Sequence, residues 1–246
     1  ADSMGAAARY GDGDVQWLTA GDGINHAEMF PLLDRGAPNP IDFFQIWLNL
    51  PKVDKRVKPY FSMFWANEVP KVRATDKAGR AVEVTVVAGA FAGATVPKPP
   101  PNSWAARADS DVAIWTIKLA AGAQWVMPKA QAGTHRALYT VRSAVNIGSR
   151  AVPARHQVVL RADAETTVQA GDAPAELLVL QGRPIGEPVV QHGPFVMNTR
   201  EEIAQAFQDY RRTQFGGWPW PSADPVHGTE RRRFARHADG RTEQPS

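Results

Sequence analysis

Apolar and polar positions alternate along much of this chain with a period of two, the spacing of a strand that buries one face. The longest such run is residues 41–50, IDFFQIWLNL, with Phe44, Ile46, Leu48 and Leu50 on one side and Phe43, Gln45, Trp47 and Asn49 on the other. It is the best strand candidate in the sequence. Shorter runs at 82–90, 112–119, 138–147, 157–160 and 176–181 are rich in β-branched or aromatic residues and are bounded by Gly, Pro or Asp. Gly13-Asp14 precedes a run at 15–18, and Gly171-Asp172 precedes the run at 176. Each pair is a turn signal followed by a strand signal. Many short strands without alternating helices predict an all-β sandwich or barrel.

One segment breaks the two-residue period. Thr199 and Glu202 have the spacing of a capping box, and Ile203, Phe207 and Tyr210 then recur at helical intervals. Arg211 and Arg212 suit the negative end of the dipole, and Gly216-Gly217 is the expected stop. The sequence thus predicts a single long helix over 199–212. Residues 96–103, VPKPPPNS, cannot run through a central strand and mark an expected domain boundary. Beyond 216, the WPWPS segment and the Arg-rich end predict a loop followed by a flexible basic tail.

Composition narrows the chemistry. The chain has 246 residues, 43% hydrophobic and 22% charged, which is enough to bury a substantial core. No stretch is long and apolar enough for a membrane helix, so no membrane partner is expected and the predicted location is the cytoplasm. The net charge is only +3, and Arg231, Arg232, Arg233, Arg236 and Arg241 cluster at the very end. That distribution gives no footprint for nucleic acid over the folded body. There are no cysteines, which removes disulfides, thiolate metal sites and thiol nucleophiles.

The most informative stretch is 13–30, GDVQWLTAGDGINHAEMF. His26 and Glu28 are two apart, so on extended backbone they project to one side. An imidazole beside a carboxylate suits Fe(II), Mn, Ni or Zn, but two donors are short of the three or four that hold an ion tightly. Taken alone, His-x-Glu often arises by chance. Gly21-Asp22-Gly23 starts like a dinucleotide fingerprint but has His26 in place of the third glycine. Asp12 and Asp14 are not followed by a calcium loop with its closing Glu, and there is no nucleophile elbow or P-loop. His135, His156 and His192 lack an acid or second His at ligand spacing and suit turns or hydrogen bonds. His227 and His237 are expected to be solvated in the tail.

Three stretches resemble the pirin family of the cupin superfamily: WLTAGDGINHAEMF, QIWLNLP, and residues 191–203, QHGPFVMNTREEI. The resemblance extends from about Asp2 to Arg212 and leaves the tail outside. It implies two cupin barrels followed by the C-terminal helix. In pirins the first barrel holds one metal, commonly iron, through three His and one Glu. His26 and Glu28 match the third His and the Glu. The other two ligands lie in a His-Pro-His-Arg-Gly segment preceding the equivalent of residues 2–5, and this sequence contains none. The expectation is therefore a truncated chain: 1–100 an incomplete first barrel with half a metal site, 101–215 a metal-free second barrel with the helix, and 216–246 the tail. As it stands, such a chain is expected to be inactive.

Some pirins oxidise quercetin with dioxygen, opening the ring and releasing carbon monoxide. By resemblance, the protein uses one divalent transition metal, foremost Fe(II), with Mn, Ni, Cu or Zn as alternatives. It admits a flat phenolic substrate whose hydroxyl proton passes to Glu28, as ligand or nearby base. Other pirins are non-catalytic regulators that bind transcription factors or metabolic enzymes. The same His26 and Glu28 serve both readings, and an inert remnant is a third.

Overall fold

The computed structural model describes residues 1–228 and 230–246. It is mostly β structure with one long helix, as the alternation and the capping box predict. The chain divides into two compact units, Asn67–Ile185 and a unit formed by both chain ends, Ala1–Ala66 with Gly186–Ser246.

The first part of the end-to-end unit carries β1 (Ala7–Arg9), β2 (Val15–Thr19) and β3 (Tyr60–Phe64). β2 and β3 form an antiparallel pair in which Trp17 faces Ser62 and Leu18 faces Phe61. Between them, residues 41–50 form no strand, contrary to the pattern in the sequence. Alternation is necessary for a strand but not sufficient. The backbone also needs a neighbour to accept its hydrogen bonds, and among the described residues none lies alongside this run.

The unit from 67 to 185 contains β4 (Lys71–Thr75), β5 (Ala81–Ala88), β6 (Ala113–Leu119), β7 (Gln124–Met127), β8 (His135–Arg142), β9 (Val145–Ile147), β10 (Arg150–Val152), β11 (Gln157–Leu160), β12 (Thr166–Ala170) and β13 (Ala175–Gly182). One sheet has the order β11-β8-β13-β6-β5-β4, the other β10-β9-β12-β7. Alternate residues of both sheets fill one core: Val82, Val84 and Val86 from β5, Trp115, Ile117 and Leu119 from β6, Leu177 and Val179 from β13, then Trp125, Met127 and Val168 from the second sheet. The register stacks them, with Val84 opposite Ile117 and Ile117 opposite Leu177. Cross-strand pairs of this kind hold a sheet together more than any intrinsic strand preference. The run at 138–147 divides at Ser143, whose φ of 63° makes a tight turn, and its halves β8 and β9 belong to different sheets.

The proline-rich stretch at 96–103 lies inside this unit rather than between domains. β5 before it pairs with β6 after it through six residues of β6, Ile114 to Leu119, and Val96 packs on the shared core. Sheet pairing across a loop, not the loop's composition, decides which segments form one body.

The chain then returns to the first unit through β14 (Val190–His192), β15 (Phe195–Met197) and α1 (Arg200–Thr213). Thr199 caps α1 with both halves of the capping box, the Glu202 N–H to the Thr199 side chain and the Glu202 carboxylate to the Thr199 N–H. Ile203 and Ala206 are buried, and the Phe207 ring meets Phe195 edge-on at 4.8 Å. The helix stops at Gln214, in the left-handed region at φ 49°, two residues before the paired glycines.

The expected flexible tail is instead structured. β16 (Phe234–Arg236) pairs with β1, and β17 (Thr242–Glu243) pairs with β16. Ala235 is fully buried against Ala6, Phe61, Met63 and Trp65, and Trp220 Nε1 donates to the Asp2 carbonyl at 2.8 Å. Arg233 meets the buried carboxylate of Asp14 at 2.8 Å. His237, expected in solvent, is buried, stacks on Phe61 at 4.4 Å between centroids, and bonds Glu243 at 2.7 Å. A three-residue strand has too few positions to show a period. Its partner, β1, lies at the opposite end of the sequence.

Candidate functional site

His26 and Glu28 follow β2 directly. The turn that delivers them needs glycine, because a Cβ at Gly21 would collide with the Val57 carbonyl and one at Gly23 with the Phe215 ring. The glycines that fail as a nucleotide fingerprint thus have a steric role. Residues 25–27 then pair with the start of the chain: Ser3 N–H donates to Asn25 O at 2.8 Å, and Ala27 N–H to Ala1 O at 2.9 Å. Asp2 and His26 form an isolated antiparallel bridge. The Asn25 amide also donates to Gln214 O at 2.7 Å, fixing the segment against the end of α1.

Both site side chains are exposed. Glu28 Oε2 accepts a long hydrogen bond from Gln45 Nε2 at 3.5 Å. Its charge also reaches Tyr10, whose phenol is pushed up to about 12, mainly by burial and secondarily by Glu28. No sequence motif marked Tyr10, and Gln45 stood out only as the start of QIWLNLP, since proximity to Glu28 is a tertiary property. Exposed large apolar residues follow the pair in sequence, Met29 and Phe30, and others flank Gln45, namely Phe43, Phe44, Ile46 and Trp47. Phe30 and Phe43 touch edge-to-face at 5.6 Å. Most of these come from the 41–50 run that does not pair as a strand.

An imidazole and a carboxylate are suitable donors for a divalent ion, but they are half a set. Among the described residues, no three or more His, Asp or Glu gather where they could hold a metal. This chain's residues alone therefore do not enclose an ion. Of the other histidines, His156 Nδ1 lies 2.9 Å from Ala154 O, His192 packs on Phe207, and His227 lies between Trp220 and Phe234.

The chain thus has two β units, and the one formed by the chain ends carries the His-x-Glu pair. Comparison with known proteins makes this specific. A model described as Pirin matches residues 1–48, and one described as the Pirin C-terminal cupin domain matches 114–216. A Pseudomonas aeruginosa protein, named as a candidate quercetin 2,3-dioxygenase, is 34% identical over 216 residues, covering 87% of this chain and 71% of its own length. Pirin of Homo sapiens is 33% identical over 222 residues, covering 87% and 69% respectively. A solved quercetin 2,3-dioxygenase from Acinetobacter baumannii superposes with a TM-score of 0.62 at 26% identity, over 83% of this chain and 67% of that one. The chain belongs to the pirin family and has the pirin bicupin fold. No helix among the described residues is long and apolar enough to cross a membrane.

Proposed function

We propose that His26 and Glu28 contribute to a divalent-metal centre and that the protein oxidises a flavonol of the quercetin type with dioxygen. The observation that carries this reading is the position of the pair. It sits on an exposed aromatic surface, in a chain about a third identical to proteins named for that activity. Fe(II) is the first candidate for the metal, with Mn, Ni, Cu and Zn as alternatives. Its remaining ligands come from groups other than the His, Asp and Glu of this chain. Phe30, Phe43 and Trp47 offer ring faces to a flat phenol, and Glu28 is the carboxylate placed to accept its hydroxyl proton.

The test uses protein purified from its own host, analysed for metal and assayed for quercetin loss and oxygen uptake. About one transition metal per chain is expected. His26→Ala sharply lowers metal occupancy. Glu28→Gln retains more metal yet abolishes turnover. Fully metallated protein that leaves quercetin and oxygen untouched overturns the enzyme reading. The second reading is a metal-binding regulator acting through protein contact, which the same exposed apolar surface supports. In that case a pull-down through this surface recovers a partner that Trp47→Glu loses.

A further inference from the structure

α1 supplies no donor to the His26–Glu28 pair, yet its C-terminal end holds the loop that carries them. Three contacts join the two, all within the unit formed by the chain ends. The first is packing: the Phe215 ring lies over Gly23 so closely that a Cβ there would stand 2.5–2.6 Å from three of its carbons. The second is the hydrogen bond from Asn25 Nδ2 to Gln214 O at 2.7 Å. The third is ionic, since Arg56 meets Asp22 of the loop at 2.8 Å and Asp209 of α1 at 2.9 Å.

The end of the helix is bent where it makes these contacts. Gln214 and Phe215 both have left-handed backbone, at φ 49° and 47°. That region is uncommon for residues other than glycine, and such strain persists only where the surroundings over-determine it. Here they do. Phe215 N–H donates to Thr213 Oγ at 3.1 Å, Gln214 Nε2 to Tyr210 O at 3.0 Å, and Gly217 N–H to Gln214 O at 3.0 Å. The Phe215 ring also meets Tyr210 at 5.2 Å and Phe195 at 6.0 Å between centroids. In this shape the Gln214 carbonyl reaches Asn25 and the Phe215 ring reaches Gly23. His26 and Glu28 themselves are exposed, so the loop backbone, more than packing of their side chains, sets where they stand.

We propose that the left-handed hook Gln214–Phe215, together with Asn25 and Arg56, positions His26 and Glu28 by fixing the 21–28 backbone. Its functional consequence rests on the reading of that pair as metal donors.

Hydrogen exchange of the full chain reads the hook without metal. The N–H groups of Asp22, Gly23, Asn25 and Ala27 are hydrogen-bonded and report the loop. Those of Ala206, inside α1, and Ala235, in the middle strand of its sheet, report opening of the unit as a whole. Phe215→Ala and Asn25→Ala should each speed loop exchange about tenfold, the loss of one packing contact or hydrogen bond, with Ala206 and Ala235 unchanged. Arg56→Met, at a half-exposed ion pair, should speed it about twofold. Phe215→Leu should restore most of the protection. Gln214→Gly keeps the carbonyl and relieves the strain, so the loop should stay within about twofold of the parent.

Unchanged loop exchange in both Phe215→Ala and Asn25→Ala overturns the inference. So does equal acceleration at Ala206 and Ala235, the mark of a general loss of stability. Should Phe215→Ala fail to fold, Asn25→Ala and Arg56→Met decide the matter. In protein purified from its own host, Asn25→Ala should weaken retention of metal against a chelator about tenfold. Retention unchanged there but lost in His26→Ala overturns the positioning role. Retention unchanged in both overturns the metal reading instead, and the exchange result alone then decides whether the hook holds the loop.

Discussion

The unit from 67 to 185 and the unit formed by the two chain ends show what contiguous and discontinuous sequence each accomplish. In the first, the strands of one unbroken stretch of chain pair within two sheets and bury one continuous core. In the second, the sheets have only three, two and two strands, a large apolar surface stays exposed, and the candidate chemistry sits there. The same kind of residue, a large apolar side chain on an alternating run, is structural in one place and available for contact in the other. What separates them is a pairing partner for the backbone.

The sharpest way to break this contrast is to truncate one residue from each. Ile117→Ala, at a fully buried position, should cost about 2–5 kcal/mol in urea unfolding. Trp47→Ala, at a side chain 62% exposed, should change stability by no more than about 0.5 kcal/mol. Similar losses at both would show that the 41–50 surface is packed in solution. The next effect tests whether the C-terminal segment is integral to its unit. Asp14 accepts from Ala66 N–H, Gly11 N–H and Arg233, so Asp14→Ala removes three hydrogen bonds and leaves the part-buried Ala66 N–H unmatched, which should cost about 2 kcal/mol. Arg233→Ala should cost less, since Arg233 is partly solvent-screened. An unchanged midpoint in Asp14→Ala would mean that the tail is not held as described.

Smaller still is the helix cap. Thr199→Ala should cost about 1 kcal/mol, and Thr199→Ser should restore most of it, read by thermal unfolding. The smallest effect is a pH dependence in the same unit. Burial, aided by nearby positive charge, holds His227 below its ordinary value of 6.5. The unfolded chain therefore takes up a proton more readily. The stability that neutral His227 contributes is complete above about pH 6.5 and is lost as the pH falls through its lower folded value. His227→Gln should flatten the drop in Tm between about pH 7.5 and 5.5. A variant with the same acid sensitivity as the parent would remove His227 as its source.

The features legible in the sequence are those whose cause is local. The capping box of α1 joins residues three apart, and its intervals place Ile203 and Phe207 inward. Within 67–185, the runs at 82–90, 112–119 and 176–181 form strands as expected, because β5, β6 and β13 are seven or eight residues long and can show a period. His26 and Glu28 were visible as a pair through spacing and resemblance to pirins. Tertiary structure alone decided the rest. It joined β1 to β16 across the whole chain, buried Ala235 and His237 in a segment that reads as a charged tail, and left the 41–50 run without a strand to bond. It also brought Tyr10 near Glu28. A side chain's propensity and period belong to a few neighbouring residues, whereas a hydrogen-bonding partner for a strand, or a second group for a site, is supplied by whichever distant segment the fold carries there.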